Sequence, residues 1–188
     1  MKKKIILIGG YSASGKSTFS HKLSEELNIP CFNKDIIKET LGDSFGAEGG
    51  LVFEKGSNAA FMLILQIIES FLGSNSMCII DSNFTMEELN EINILLEKYN
   101  GSCLIYKFTA DLDILFDREI KRSPQRHWVH KRPQSNSNEE RKLFKQIMLD
   151  KVAIEEADKI GQTVIVDTTS FNNINYEELF DTAKNFIK

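Results

Sequence analysis

The sequence predicts an α/β protein with a parallel β-sheet covered by helices on both faces. Two observations lead to this prediction: strand and helix patterns alternate along the whole chain, and the clearest strand candidates are uninterrupted apolar runs. Parallel sheets have this alternation, and their inner strands are apolar because both faces are buried. The 188 residues are 41% hydrophobic and 27% charged, so we expect one domain with a complete core. This composition excludes disorder, collagen-like repeats and coiled coils.

Five short stretches have the composition of buried strands. The clearest is the aliphatic run 4–9, which leads into a second glycine. The others are also rich in apolar side chains, and turn-forming residues bound several of them. In chain order, the predicted strands are 4–9, 30–33, 77–81, 103–108 and 163–167.

Between these strands, apolar residues recur at helical spacing. Thr85 and Glu88 have the capping-box pattern ahead of one amphipathic stretch, and Asp111 is expected to cap another. The stretch 59–72 is apolar on more than one helical face, which predicts burial. The other predicted helices cover 17–27, 35–41, 85–99, 111–122, 139–159 and 176–187.

Two stretches interrupt the alternation. Segment 42–56 holds five of the eleven glycines, so an irregular connection is expected. Segment 123–138 has two of the three prolines and no apolar periodicity, which is typical of a long functional loop. His127 and His130 flank Trp128 in this loop. Since two histidines at that spacing do not make a metal site, we expect these side chains to pack in the lid; the alternative is that Trp128 in this basic loop stacks on a base or sugar.

Charge and cysteine content limit the partners and the compartment. The net charge of −4 does not favour electrostatic binding of nucleic acid by the whole chain. The three cysteines include no C-x-x-C pair, which favours buried thiols in a reducing environment. No targeting segment is predicted, and the apolar stretch 59–72 is shorter than a membrane span. A cytoplasmic location without membrane association is therefore expected; the oligomeric state is not predicted.

The strongest motif is Gly10-Tyr11-Ser12-Ala13-Ser14-Gly15-Lys16-Ser17, which fits G-x-x-x-x-G-K-[ST] between a strand and a helix. Its glycines let the backbone curl so that successive N–H groups point at phosphate oxygens. Lys16 is expected to reach the β- and γ-phosphates, and the Ser17 hydroxyl to bind Mg²⁺. The predicted nucleotide-binding residues are Gly10, Ser12, Ala13, Ser14, Gly15, Lys16, Ser17 and Thr18.

With this motif and element order, the chain resembles the P-loop small-molecule kinases, which include adenylate, shikimate and gluconate kinases. It is most similar to small kinases related to polynucleotide 5′-hydroxyl kinase, chloramphenicol phosphotransferase and zeta toxins. The resemblance implies a three-layer fold with strand order 2-3-1-4-5, and ATP with Mg²⁺ as cofactors. It also implies one kinase domain over 1–188, with an acceptor-binding region at 35–75 and a lid at 123–138.

Asp35 matches the family at a second position, after the second strand and at the start of a helix. A carboxylate here implies a general base, because a hydroxyl that attacks phosphorus must lose its proton. Lys38, one turn later, stands where an arginine is often found and would hold the acceptor. The alternative is that Asp35 caps its helix and that Lys38 is a solvated surface residue.

Asp81 ends an apolar strand in a pattern that resembles Walker B. A carboxylate at this edge of the sheet lies beside the P-loop, where Mg²⁺ needs oxygen ligands or held water. Asn83, two residues later, is a candidate contact to the acceptor. Because many strands end in aspartate, both assignments depend on the P-loop motif.

Arg118, Arg122 and Arg126 follow each other at intervals of four residues. Segment 118–132 holds six Lys or Arg residues and one acid, Glu119, a concentration that indicates a local anion unless it forms a solvated face. The resemblance implies that Arg118 stacks on adenine and that Arg122 and Arg126 bind the transferred phosphate. It also implies that loop 168–172 wraps the adenine.

The predicted function is transfer of the γ-phosphoryl group of ATP to a hydroxyl or phosphate of a small molecule or nucleotide. A GTPase is excluded because Asp81-Ser82-Asn83-Phe84 lacks the glycine of D-x-x-G. Two alternatives remain open: a non-catalytic or regulatory ATP-binding protein, and a kinase of nucleic-acid 5′-hydroxyl ends. The acceptor itself is not predicted.

Overall fold

The computed structural model describes residues 3–46, 55–130, 137–151 and 157–188. Within them, five strands form one sheet: β1 (Lys3–Gly10), β2 (Cys31–Asn33), β3 (Ile79–Asp81), β4 (Gly101–Thr109) and β5 (Gln162–Asp167). Every neighbouring pair is parallel, and the order is β2-β3-β1-β4-β5. The predicted parallel α/β sheet and the implied strand order are confirmed.

Seven α-helices connect these strands within the described residues. They are α1 (Lys16–Leu27), α2 (Lys34–Phe45), α3 (Gly56–Gly73), α4 (Met86–Tyr99), α5 (Leu112–Arg122), α6 (Asn138–Lys151) and α7 (Tyr176–Ile187). Single 3-10 turns lie at Ser123–Gln125, Trp128–His130, Ala157–Lys159 and Phe171–Asn173.

The central strand β1 contributes side chains to two hydrophobic cores. Ile5 and Leu7 pack with residues of α3 and α4 on one face of the sheet. Ile6 and Ile8 pack with residues of α1 and α7 on the other face. All four side chains are at most 1% exposed, which explains why the strand is apolar at every position rather than at alternate ones.

Both predicted helix caps are confirmed. Thr85 Oγ1 accepts a hydrogen bond from Glu88 N, and Glu88 Oε2 accepts one from Thr85 N, each at 3.3 Å. Asp111 Oδ1 accepts from the backbone N of Asp113 at 2.9 Å and of Ile114 at 3.1 Å. These bonds satisfy donors that the first turns of α4 and α5 leave without helical partners.

Helix α3 packs in the core, as the sequence predicts, but only one of its faces is buried. Ile64 and Ile68 lie fully in the core, but Met62 is 53% and Leu63 41% exposed. The helix runs over 18 residues, longer than predicted, and among the described residues it alone is long and apolar enough to cross a membrane by length and composition. Its inner face nevertheless packs into the core of this sheet with α4.

Two helix boundaries differ from the sequence prediction. Helix α2 continues past Gly42, which is buried within it, as far as Phe45, and its C-cap is Gly46 with a positive φ of 74°. The predicted irregular segment therefore begins later, and its residues 47–54 lie outside the described residues. The predicted helix 139–159 is α6 as far as Lys151, and Ala157–Lys159 forms a 3-10 turn. Residues 152–156 between them also lie outside.

The cysteines have the environment that was predicted from their sequence context. Cys78 and Cys103 are buried, Cys31 is half buried, and all three are free thiols. Burial raises the pKa of the Cys103 thiol to about 12. This thiol is therefore unreactive at neutral pH.

Candidate functional site

The P-loop, residues 10–17, runs from the carboxyl end of β1 into α1. Gly10 has a φ of 124°, and a Cβ there would lie 2.1 Å from the carbonyl oxygen of Phe108, so only glycine fits. Gly15 is the N-cap of α1 with a φ of 89°. Ala13 is also left-handed, with a φ of 61°. Because that conformation costs about 1 kcal/mol for a residue with a Cβ, it indicates a loop held in a functional shape.

Lys16 is buried, and its ammonium group lies inside the loop. Its Nζ donates to the carbonyl oxygen of Tyr11 at 2.5 Å, and Ser14 Oγ donates to the same oxygen at 2.7 Å. Burial lowers the pKa of Lys16 to about 8, although the negative charges of Asp81 and Asp35 oppose this shift. The loop is thus held by hydrogen bonds from Ser14 and Lys16 to the Tyr11 carbonyl.

Ser17 and Asp81 meet where the sequence predicts a Mg²⁺ site. Asp81 is 2% exposed, and its Oδ2 accepts hydrogen bonds from Asn33 Nδ2 at 2.6 Å and Ser20 Oγ at 3.2 Å. Asn33 also donates to Ser17 Oγ at 3.3 Å. Burial raises the pKa of Asp81, while Lys16 opposes the rise. A hydroxyl and a carboxylate are hard oxygen donors that fit Mg²⁺, which commonly keeps several waters.

Asp35 lies in the first turn of α2 with its side chain 51% exposed. The cap of this helix is Asn33, whose side chain accepts from Ile36 N at 3.1 Å, so the structure does not support the capping alternative for Asp35. Oδ2 of Asp35 lies 3.9 Å from Arg126 Nη2. Lys38, one turn later, is outside the set of residues that line the cleft described below.

Three side chains converge on the buried carboxylate of Glu119. Arg122 Nε donates to Oε2 at 2.7 Å, and Ser12 Oγ donates to the same oxygen at 3.2 Å. Arg126 Nη1 donates to Oε1 at 2.6 Å, and Arg122 Nη2 donates to Ser12 Oγ at 2.6 Å. Two of the predicted arginines are therefore joined to the P-loop through the one acid of their segment.

Arg118 lies apart from this group, near the loop after β5. Its Nη2 donates to the carbonyl oxygens of Thr168 at 2.8 Å and Thr169 at 3.2 Å. Its guanidinium carbon lies 3.9 Å from the ring centroid of Phe171. The guanidinium plane is therefore fixed on one side, beside the loop that was predicted to wrap adenine.

The first part of the predicted lid packs against α2. Asp43 Oδ1 accepts from Trp128 Nε1 at 3.1 Å and lies 3.0 Å from His127 Nε2. His130 Nε2 lies 3.1 Å from Glu39 Oε1, without the orientation of a hydrogen bond. These side chains therefore contact α2 as well as their own segment, where His127 and Trp128 pack with ring centroids 5.6 Å apart. Lid residues 131–136 lie outside the described residues.

A buried ion pair connects the beginnings of α2 and α4. Lys34 Nζ lies 2.6 Å from Glu88 Oε1, and the two side chains are 9% and 13% exposed. Glu88 also completes the capping box of α4 with Thr85, and Lys34 directly precedes Asp35. The pair therefore joins the two helix ends that follow β2 and β3.

One polar cleft brings most of the predicted residues together. Its empty volume is about 300 Å³, including open solvent. Arg118, Arg126 and Lys38 do not line it. The lining residues are Ser12, Ala13, Lys16, Ser17, Asn33, Asp35, Asp81, Ser82, Asn83 and Arg122.

Residues 5–147 of this chain match the AAA domain family. The chain belongs to that family. Its parallel sheet and P-loop also give it the architecture of P-loop small-molecule kinases, in agreement with the resemblance seen in the sequence.

Curated relatives of this AAA domain include two shikimate kinases. The enzyme of Flavobacterium psychrophilum is 29% identical over 103 residues, which cover 50% of this chain and 59% of that enzyme. The enzyme of Flavobacterium johnsoniae is 25% identical over 132 residues, covering 66% of this chain and 69% of that enzyme. The first match thus spans less than two thirds of its relative.

Solved structures match over nearly the whole chain. A Chloroflexus aurantiacus protein to which kinase activity is ascribed superposes with a TM-score of 0.83 and 22% identity, covering 98% of both chains. A gluconokinase from Sinorhizobium meliloti superposes with a TM-score of 0.58 and 15% identity, covering 95% of this chain and 88% of the other. Because the sequence identities are only 22% and 15%, these two structures establish the fold of this AAA domain and not its activity.

Sequence reasoning did not predict Ser20, Asn33, Ser82 or Glu119 as site residues, and it placed Phe171 in the adenine loop without a role for its side chain. Asn33 ends a strand beside the predicted base, which is a pattern that could have identified it. Glu119 was noted as the one acid among basic residues, but that observation was not developed. Nothing in the sequence pairs Phe171 with Arg118, which is distant along the chain.

Proposed function

We propose that this protein is an ATP-dependent kinase that transfers the γ-phosphoryl group to a hydroxyl or phosphate of a small molecule or nucleotide. The observation that carries the proposal is one cleft lined by Lys16, Ser17, Asp35 and Asp81. Phosphoryl transfer needs a cation for the phosphates, metal ligands, and a carboxylate that takes the proton of the acceptor. The cleft supplies all three, and the kinase relatives support the same reaction class.

In this proposal the nucleotide binds along the P-loop. Backbone N–H groups of residues 12–17 and the Lys16 ammonium hold the β- and γ-phosphates, whereas the N–H of Tyr11 donates to the Phe108 carbonyl. Arg118 stacks on the base with the guanidinium face opposite Phe171. Ser17 and Asp81 hold Mg²⁺, which when bound neutralises charge on the phosphate oxygens. Asn33 keeps these two oxygen donors together.

The transfer step needs no covalent enzyme intermediate. The acceptor oxygen bonds to the γ-phosphorus while the bond from that phosphorus to the β–γ bridging oxygen breaks, and ADP leaves. Asp35 takes the hydroxyl proton of the acceptor. Arg122 and Arg126 stabilise negative charge on the transferred group.

The acceptor side is formed by segment 35–75 and by Asn83. Apart from Ala13, every residue that lines the cleft is polar, which suits a hydroxylated acceptor that makes several hydrogen bonds. We propose that Asn83 contacts this acceptor and that Lys38 acts at its outer edge. Segment 123–138 is the lid that excludes water and so limits hydrolysis of ATP.

Two variants test the roles of the donor and the base. Lys16→Ala removes the phosphate-binding cation, so we expect loss of Mg·ATP binding by calorimetry. Asp35→Asn keeps the shape and the P-loop, so we expect ATP affinity within about threefold of wild type and transfer reduced at least about 100-fold. Each variant is the control for the other. Unchanged transfer by Asp35→Asn would show that Asp35 is not the base.

The acceptor class is tested with γ-labelled ATP and a panel of compounds. The panel contains nucleosides, nucleotides, sugars, hydroxylated acids, hydroxylated antibiotics and 5′-hydroxyl oligonucleotides. Labelling of small molecules supports the proposal, and labelling of oligonucleotides alone would favour the nucleic-acid kinase. ATP binding without any labelled product would favour the non-catalytic alternative.

A further inference from the structure

Glu119 is an anion in a place where the proposed function requires an anionic ligand. It lies on α5, is 4% exposed, and receives hydrogen bonds from Ser12, Arg122 and Arg126. Ser12 belongs to the P-loop, so the carboxylate lies next to the expected position of the triphosphate. The Glu119 carboxylate and a bound triphosphate are both negative, so they repel each other. Burial of a carboxylate also costs free energy because the group loses its hydration.

The contacts of Glu119 indicate why a carboxylate is present here: it holds the side chain of Arg126 in place. Arg126 follows the 3-10 turn at Ser123–Gln125 and has extended backbone angles, so no helix fixes its side chain. What holds it is Glu119 on one side, at 2.6 Å, and Asp35 on the other, at 3.9 Å. Glu119 thereby sets the position of Arg126 beside the proposed base.

Arg122 is held by the same carboxylate. Its Nε donates to Glu119, while its Nη2 donates to Ser12 Oγ in the P-loop. The planar guanidinium is thus oriented by two acceptors before any phosphate is present. An arginine fixed in this way does not lose side-chain freedom when the transition state forms.

We propose that Glu119 is a positioning residue for phosphoryl transfer, which aligns Arg122 and Arg126 at the expense of nucleotide affinity. The proposal rests on the proposed kinase function and extends it to a residue outside the cleft lining. When the charge of Glu119 is removed, the proposal predicts opposite effects on turnover and on ATP affinity. Turnover falls because the arginines lose their orientation, whereas ATP binds more tightly because a competing anion is gone.

The test uses Glu119→Gln, which keeps the shape of the side chain and removes its charge. Binding of a non-hydrolysable ATP analogue with Mg²⁺ is measured by calorimetry, and turnover is measured as ADP release from Mg·ATP with water as acceptor. We expect the Kd to fall about threefold or more and the kcat to fall at least about tenfold. Unchanged turnover, or weaker binding of the analogue, would overturn the proposal.

Asp117→Asn is the matched control, because it removes one charge from the same helix. Asp117 lies 2.7 Å from Arg141, and its side chain is 63% exposed. We expect less than about a twofold change in either quantity, since exposed charges are well screened. An equal effect of both variants would show that net charge, and not positioning, is responsible.

A double variant separates positioning from a purely structural role. If Glu119 acts through Arg126, then Glu119→Gln lowers turnover much less in an Arg126→Gln background than in wild type. Effects that simply multiply would contradict the proposal. Should Glu119→Gln fail to fold, Glu119→Asp keeps the charge but shortens the reach, and the same loss of turnover is expected.

Measurements on the wild-type chain distinguish a failure of the proposed kinase function from a failure of the role proposed for Glu119. If the wild-type chain binds no ATP analogue, the proposed function and the role of Glu119 both fail. If it binds the analogue and releases ADP, but Glu119→Gln is indistinguishable from it, only the role of Glu119 fails.

Discussion

Lys16 combines a buried position with a charge that the proposed reaction requires. Its ammonium donates to the Tyr11 carbonyl, and burial lowers its pKa to about 8. At neutral pH most molecules therefore carry the charge, but above pH 8 most do not. A bound triphosphate favours the protonated form and raises this pKa again.

We therefore predict that ATP binding takes up a proton in alkaline solution. At pH 9 only about one unliganded molecule in ten carries the Lys16 charge, so affinity for Mg·ATP falls by up to about tenfold between pH 7 and pH 9. Calorimetry at pH 8.5 in two buffers of different ionisation enthalpy measures the proton uptake. The same pair of buffers at pH 7 is the control. Equal apparent enthalpies at pH 8.5 would contradict the lowered pKa.

Individual site residues were predictable where their chemistry follows a local motif. Lys16 and Ser17 belong to one contiguous pattern, and Asp35 and Asp81 each follow a strand. Asn33 and Glu119 were not predicted, because their partners are remote in sequence: Asn33 bonds a residue 48 positions away, and Glu119 one 107 positions away. Such pairs form only after the sheet brings strand ends together.

At the scale of elements, α2 carries the proposed base and is fixed to α4 by a buried ion pair. Lys34 is the first residue of α2. Glu88 forms an ion pair with it and also completes the capping box of α4. Removal of one partner leaves the other charge buried without compensation, which is more costly than the loss of an exposed pair.

We predict that Glu88→Ala lowers the free energy of unfolding by about 3 kcal/mol or more, because it breaks both the ion pair and the capping box. Urea denaturation measures the change. Glu91→Ala on the exposed side of the same helix is the control, with an expected change below about 0.5 kcal/mol. Similar losses for both variants would mean that the Lys34–Glu88 pair contributes little.

The sequence predicted which segments form helices and strands, but it misplaced the ends of two helices, for physical reasons. The predicted helix 35–41 stops before Gly42, yet α2 continues through Gly42 to Phe45, and Gly46 is its C-cap. In the added turn, Ser44 Oγ donates back to the Thr40 carbonyl at 2.8 Å. Gly46 ends the helix with a positive φ that favours glycine, and sequence alone does not show which of the two glycines adopts such a conformation.

For the molecule as a whole, the contact between His130 and α2 links stability to pH. Burial lowers the pKa of His130, and the positive charges of Arg126 and Lys38 act in the same direction. The negative charges of Asp35 and Glu39 oppose the shift. Because the unfolded chain binds a proton on this histidine more readily than the folded one, acid favours unfolding.

We predict that the free energy of unfolding decreases as pH falls below about 6.5, the ordinary histidine pKa. This contribution is fully present above that pH and is lost as the pH falls through the folded-state pKa of His130. Denaturation of His130→Gln between pH 7 and pH 5 should show a flatter profile than wild type. His21→Gln, on the exposed face of α1, should follow wild type. Identical slopes for wild type and His130→Gln would exclude this linkage.

The global fold was the most predictable property. The continuous apolar run of β1 indicated a strand buried on both faces, and the order of the strands followed from the family resemblance. The solvent face of α3 was not predicted, because Met62 and Leu63 are as apolar as the core side chains beside them. The hydrophobicity of a residue indicates whether it favours burial. It does not show whether another element of the fold covers that residue.

The close approach of Gly10 to the Phe108 carbonyl has a consequence for how such proteins diversify. Main-chain packing joins the P-loop to β4, and β4 leads into the helix that carries the arginines, so this half of the molecule tolerates little change. Ile37 of α2 and the inner face of α3 pack on the sheet through their side chains. If the proposed function is correct, substitutions within 35–75 would therefore change the acceptor preference while the donor loop keeps its shape.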